Sequence, residues 1–250
     1  MAGKESSSAV ATARGSIFAT THWSVVLSAS DGDSQLAGQA LERLCRTYWP
    51  PLYAFLRREG RSEADAQDLV QGFFASLLAH QSLAGLDRER GKFRSFLLKS
   101  LKHFLANEHD RIRALKRGGD LTFVPWDEAA AENTFRSARA DSLSPDLTFE
   151  KSWALTLLNQ VLDQLRQEYS AAGRAGLFDE LQVYLTGDKG DAPYAETAAR
   201  LNLGESALKM SIQRLRRRYG DLLRAEIAHT VSTPQEIDEE IRALFAAVRR

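Results

Sequence analysis

The sequence predicts an all-α fold: two small helical domains joined by a flexible acidic linker. Three observations carry that prediction. Apolar residues recur at three- and four-residue steps through most of the 250 residues, the period of amphipathic helices. Runs alternating apolar and polar residues, as half-buried strands do, are nearly absent. Charge is sorted by segment although the chain is neutral, with 33 basic and 33 acidic residues. From Arg88 to Gly118 ten Lys/Arg stand against Glu89, Glu108 and Asp110; from Asp120 to Glu150 seven acids stand against two arginines; from Glu205 to Tyr219 five basic residues stand against one acid. Residues 1–19 thus read as a mobile tail, 20–118 as the first domain and 119–149 as the linker. Residues 150–231 read as the second domain and 232–250 as a C-terminal helical extension.

Each element has its own signal. Leu41, Leu44, Cys45, Tyr48, Leu52 and Phe55 form the stripe of a first helix, which Pro50-Pro51 should kink or split. Ser62 with Asp65 three residues on reads as a capping box. It starts a second helix with Ala66, Leu69, Val70, Phe73, Phe74, Leu77 and Leu78 inward. A third helix turns Phe93, Phe96, Leu97, Leu101, Phe104, Leu105, Ile112 and Leu115 inward, and Gly118-Gly119 stops it. Of its phenylalanines, Phe93 is the expected exception to burial, being nearest the loop. The acidic connector holds Phe123, Trp126 and Phe135, which a plain solvated spacer does not need. Helices resume near Glu150 with Trp153, Leu157, Leu158, Val161 and Leu165, then over Leu177–Leu185, Tyr194–Leu201 and Glu205–Tyr219. The stripe Ile237, Ile241, Leu244, Phe245 and Val248 makes the tail Pro234–Val248 a helix that should dock. It could be a built-in regulator or pack on the second domain.

Composition narrows the function class. One cysteine, Cys45, permits no intramolecular disulfide and argues against a thiolate metal site. His103 and His109 fall roughly opposite each other on a helix, the wrong geometry for chelation. No nucleophile–base pattern and no glycine-rich phosphate cradle is present, so no enzyme activity, cofactor or metal is expected. No apolar run approaches the roughly 20 residues a membrane span needs, and the first residues lack a secretory core. A cytoplasmic protein without a membrane partner is expected.

What remains points to nucleic acid. The basic segment Arg88–Gly118 interleaves Phe93, Phe96 and Phe104 with cations, suited to phosphates and unpaired bases. Tyr194–Tyr219 has the proportions of a helix-turn-helix, with a break at Asn202-Leu203-Gly204 and Leu208, Ile212 and Leu215 inward. Its second helix presents Ser206, Lys209, Gln213, Arg214 and Arg217, the side-chain types that reach base edges and phosphates in a major groove. Glu63, Asp65, Gln67, Asp68 and Gln71 form a polar, mostly acidic helix face, either simply solvated or a dock for a basic partner.

These parts, in this order, resemble the bacterial sigma-70-type RNA polymerase sigma factors of the extracytoplasmic-function (ECF) group. Leu44–Leu56 (LCRTYWPPLYAFL) looks like the start of the family's region 2, and Asp65–Phe73 (DAQDLVQGF) is similar to its most recognisable stretch. Arg90–Arg111 resembles the helix that opens the −10 element, and Tyr194–Arg216 the region 4 helix-turn-helix that reads the −35 element. The resemblance covers Leu41–Gly118 and Ser152–Leu223. It implies that Asp65, Asp68 and Gln71 meet the clamp coiled coil of core RNA polymerase, with the flap as a second contact. It implies that Lys92, Arg94, Lys99, Lys102, His103 and Asn107 line the displaced strand of promoter DNA. Arg111, Arg113, Lys116 and Arg117 would hold adjacent duplex phosphates. Ser206, Lys209, Gln213, Arg214 and Arg217 would face the −35 element. An anti-sigma factor or a Ser/Thr kinase would be the candidate regulator.

The chain departs from the family at Gln67 and Gly72, where glutamate is usual, which thins the acidic face. It departs again at His103 and Asn107, and at Asn202, Gly204, Ala207 and Ser211 in the helix-turn-helix. Two rivals stand beside this reading. One is a helix-turn-helix regulator that acts without polymerase and dimerises through Pro234–Val248. The other is a helical adaptor with no DNA role.

Overall fold

A computed structural model describes residues 34–79, 92–114, 128–138, 143–186, 194–231 and 233–249. Among these the regular structure is all helical. The elements are α1 (Ser34–Arg58), α2 (Glu63–Ala79), α3 (Phe93–Ala114), α4 (Glu128–Ala138), α5 (Pro145–Ala171), α6 (Ala175–Leu181), α7 (Val183–Thr186), α8 (Tyr194–Arg200), α9 (Glu205–Ala228), a 3-10 turn (Pro234–Glu236) and α10 (Ile237–Val248). They form two compact units, one from residues up to Thr156 together with those from Ile227, the other Leu157–Glu226.

In the first unit α1 runs through Pro50 and Pro51 without a break. Each proline removes an amide donor from the helix ladder. The helix persists because the flanking Leu44, Tyr48, Leu52, Tyr53, Phe55 and Leu56 are all essentially fully buried, each worth about 1.5–3 kcal/mol of transfer free energy if it is large and apolar. It ends where Gly60 takes φ 88° and the Arg61 amide donates back to the Leu56 carbonyl at 3.1 Å, a left-handed stop that glycine adopts without strain. Ser62 then caps α2 as its sequence indicates: Oγ accepts from the Asp65 amide at 3.1 Å and donates to the Asp65 carboxylate at 2.7 Å.

Helices α2 and α3 complete the core with Ala66, Val70, Phe73, Leu97 and Leu101. Phe93, the expected exception, is fully buried, its ring 5.3 Å from that of Tyr48. Phe96 and Phe104 are the partly exposed ones, because helical spacing from Leu97 and Leu101 sets Phe93 squarely on the inward line. Phe104 still meets Phe73 edge-on at 5.8 Å. A Cβ built on Gly72 would touch the Phe104 ring at 3.4 Å.

Two elements start earlier than the apolar periodicity suggests. Residues 128–138, inside the segment read as a linker, form α4, which packs on α1. Ala131 and Phe135 are buried. Glu132 accepts from the Tyr53 hydroxyl at 2.7 Å and from Arg57 at 2.8 Å, while the Arg57 guanidinium lies 5.3 Å from the centre of the Phe135 ring. Burial, with the Glu132 carboxylate beside it, pushes the Tyr53 hydroxyl up to about 12. Phe123 and Trp126 lie outside the described residues. Helix α5 begins at Pro145 instead of near Glu150 because Ser144 caps it, its Oγ accepting from the Leu147 amide at 3.3 Å, and proline is favoured at the first helical position.

The C-terminal helix α10 groups with the first unit, not the second. Leu244 and Ala247 are buried, and so is Glu240, a carboxylate on the apolar stripe. Phe245, expected inward, is 42% exposed.

The second unit packs the rest of α5 with α6 to α9 around Leu157, Val161, Leu165, Phe178, Leu181, Leu208, Ile212, Leu215 and Leu222. Helix α9 does not end near Tyr219 but continues through Gly220 to Ala228: Leu222 and Leu223 extend its buried stripe within this unit, and its last residues from Ile227 belong to the first.

The packing of α4 on α1 is testable. Phe135→Ala is expected to cost the first unit about 3 kcal/mol, the lower range for a buried Phe→Ala change, read as a lowered unfolding midpoint in urea. A plain spacer would show no change.

Candidate nucleic-acid interface

The first surface lies on α2 and α3. Asp65 and Asp68 are exposed one turn apart on α2, and Gln71 is half-buried on the same side. On α3, Lys99, Lys102, His103 and Asn107 are all exposed, and steps of three, one and four residues keep them on one side of the helix. Lys102 pairs with Asp146 at 2.6 Å and lies 5.5 Å from the Phe55 ring. Both charges of that pair are about half exposed, so it is screened and exchangeable.

The other residues expected to meet the −10 element divide differently. Arg94 sits in the core at 6% exposure. Its Nε is 2.7 Å from Glu150, its Nη1 pairs with Glu240, and its guanidinium lies 4.4 Å over the Trp153 ring. A buried cation needs such partners, and here they come from α5 and α10. Lys92 is half-buried and pairs with Glu240 at 2.8 Å. Burial, with the Arg94 charge beside it, lowers its ammonium pKa. Arg111 and Arg113 lie in α3, and their side chains are outside the described residues, as are Lys116 and Arg117.

The second surface is the segment whose sequence reads as a helix-turn-helix, α8 and the start of α9. Helix α8 ends in a turn whose Asn202 takes φ 52°. The Asn202 amide donates to the Ala199 carbonyl at 3.1 Å and the Leu203 amide to the Ala198 carbonyl at 2.9 Å, the two-bond stop usually built on glycine. Asparagine is among the few residues that tolerate this backbone, so Asn202 sustains the turn. Tyr184 and Tyr194 stack at 5.4 Å, and the Tyr184 hydroxyl donates to Thr197 at 2.9 Å. That fixes the start of α8.

All five residues selected on α9 are exposed: Ser206, Lys209, Gln213, Arg214 and Arg217. Lys209 lies 5.7 Å from the Tyr194 ring, and Tyr194, Lys209, Ile212, Gln213 and Arg216 line one open groove. The two remaining arginines of the segment are committed to the fold. Arg216 donates twice to the Tyr184 carbonyl, at 3.0 and 2.8 Å. Arg218 grips the Glu168 carboxylate in a fork, at 2.8 and 2.6 Å, and that hydrogen bonding holds the Glu168 pKa below its usual value. Arg214 and Arg217 make no ion pair among the described residues.

The groups that sequence reasoning missed are Glu150, Trp153 and Glu240. Glu240 had a signal: it interrupts the apolar stripe of Ile237, Ile241 and Leu244 at helical spacing.

Residues 44–117 match the family model for Sigma-70 region 2. The match supports a sigma-70 family member with a sigma-factor role in RNA polymerase binding and promoter melting. It spans α1 from Leu44 onward, all of α2 and all of α3, the elements that carry the first surface. No curated protein and no solved structure matches the chain. Among the described residues no group of His, Cys, Asp and Glu could hold a metal ion, and no helix is long and apolar enough to cross a membrane.

The turn makes the second surface testable. Asn202→Gly is expected to leave the melting temperature unchanged or raise it. Asn202→Val is expected to cost about 1–2 kcal/mol, the penalty of left-handed backbone for a residue with a crowded Cβ. Thermal melting of the two variants checks this.

Proposed function

We propose that the chain is a dissociable specificity subunit of RNA polymerase, a sigma factor of the ECF type that works in the cytoplasm. The single observation that carries the reading is the coincidence of the region 2 match with the exposed row Lys99, Lys102, His103 and Asn107. In this reading Asp65, Asp68 and Gln71 dock on the clamp coiled coil of core polymerase, and the second unit meets the flap. Lys99 and Lys102 hold the phosphates of the displaced strand while His103 and Asn107 contact its unstacked bases. Stacking and polar capture of flipped bases, worth about 1–3 kcal/mol per stacked base, favour the open duplex over the closed one. Arg111, Arg113, Lys116 and Arg117 follow the adjacent duplex. Helix α9 lies in the major groove at −35, with Ser206, Lys209 and Gln213 toward base edges and Arg214 and Arg217 toward phosphates. An anti-sigma factor or a Ser/Thr kinase is the regulator this reading expects.

The rival dimeric regulator needs the apolar side of Pro234–Val248 for a second copy. Leu244 and Ala247 are already buried within one chain, so the geometry favours the sigma reading.

Run-off transcription with purified core polymerase tests it. The chain is expected to give promoter-dependent transcripts. Lys99→Glu with Lys102→Glu is expected to abolish open-complex formation, to lower the salt slope of DNA binding by about one per lysine, and to spare binding to core. Specific duplex binding with no polymerase-dependent initiation would favour the dimeric regulator. Loss of core binding by the folded double variant would remove the role given to α3.

A further inference from the structure

The start of the basic helix α3 does not present its charge freely. Glu240 of α10 is 1% exposed, and its carboxylate stands between two cations, Oε2 at 2.8 Å from Lys92 Nζ and Oε1 paired with Arg94 Nη1. Arg94 is held again by Glu150 at 2.7 Å and by the Trp153 ring. Arg94 is therefore an anchor, fixed from α5 and receiving α10. Lys92, only half-buried, is the cation whose solvent-facing charge α10 occupies. The first turn of α10 is acidic throughout, with Asp238, Glu239 and Glu240, and Glu236 immediately precedes it. Glu236 and Glu239 act electrostatically on Lys92 from this side, Glu150 from α5 and Arg94 from α3.

A carboxylate and a DNA phosphate compete for the same ammonium, because both bind it by charge-assisted hydrogen bonds. We infer that α10 is an autoinhibitory strap: its acidic first turn takes the place of a DNA phosphate at Lys92, is anchored there by Arg94, and must leave before the start of α3 can join in strand capture. The inference rests on the proposed function. It adds that the C-terminal extension holds the free subunit in a state of reduced DNA affinity.

The test uses the full chain without polymerase and a labelled single-stranded oligonucleotide of mixed sequence, with anisotropy read across a salt series. Glu240→Gln is expected to raise affinity and to steepen the slope of log affinity against log salt by about 0.7, the share of one cation on a single strand. Adding Lys92→Gln to it is expected to cancel that gain. Asp238→Asn with Glu239→Gln, both exposed, is expected to raise affinity in the same direction without disturbing the buried pair, so the inference is testable even if Glu240→Gln does not fold. Glu59→Gln, at the exposed end of α1, controls for the loss of a negative charge anywhere. Affinities no higher than that control in both α10 variants overturn the strap. So does a gain that survives Lys92→Gln. Run-off transcription keeps the two levels apart. Wild-type activity with no effect of the α10 changes on DNA binding removes the strap and leaves the sigma reading. No promoter-dependent transcript from any variant removes both.

Discussion

A single buried cation organises the first unit. Arg94 opens α3, yet it lies in the core, and its partners among the described residues come from distant segments: Glu150 and Trp153 on α5, Glu240 on α10. An isolated guanidinium could not be buried there, since removing one partner of a buried pair costs about 3–5 kcal/mol. Glu150 and Trp153 of α5 and Glu240 of α10 together satisfy that charge, which ties both helices to the start of α3. The orientation of α3 follows as well, because Phe93, adjacent to Arg94, packs on Tyr48 of α1.

The same economy sorts the rest of the positive charge. On α9 the cations divide in role: Arg216 and Arg218 tie the helix to the Tyr184 carbonyl and to Glu168, while Arg214 and Arg217 make no ion pair among the described residues. On α3, Lys99 and Lys102 stay exposed while Arg94 is consumed by the fold. A basic segment is thus not uniformly free surface charge. The cations that ligate carboxylates and carbonyls hold the scaffold rigid; in the proposed function that rigidity would let the remaining ones present a fixed row to a phosphate backbone.

Much of this was legible in the sequence. The stripes of α1, α2 and α3, the Ser62 cap and the break at Asn202 follow from short-range rules of spacing and capping. The match of residues 44–117 to Sigma-70 region 2 agrees with motifs visible at Leu44–Leu56 and Asp65–Phe73. What stayed hidden depended on pairing across the chain. Phe135 advertised a buried partner, but nothing local named Tyr53 and Arg57 as the side chains beside it. Arg94, like Lys99, is a cation among apolar neighbours on α3, and Glu150, Glu240 and Trp153 separate their fates. Two misses were local and readable: Ser144-Pro145 is a helix start, and Glu240 is a charge on an apolar stripe.

The central claim is that Arg94 is an internal anchor and not a DNA ligand. Its most direct test is Arg94→Met, compared with wild type by thermal melting and by the salt dependence of DNA binding at a temperature where both are folded. The account predicts a loss of about 3–5 kcal/mol in the first unit, the cost of breaking a buried ion pair by removing one partner, with no shallower salt slope. A variant of wild-type stability whose salt slope falls by about one would contradict it.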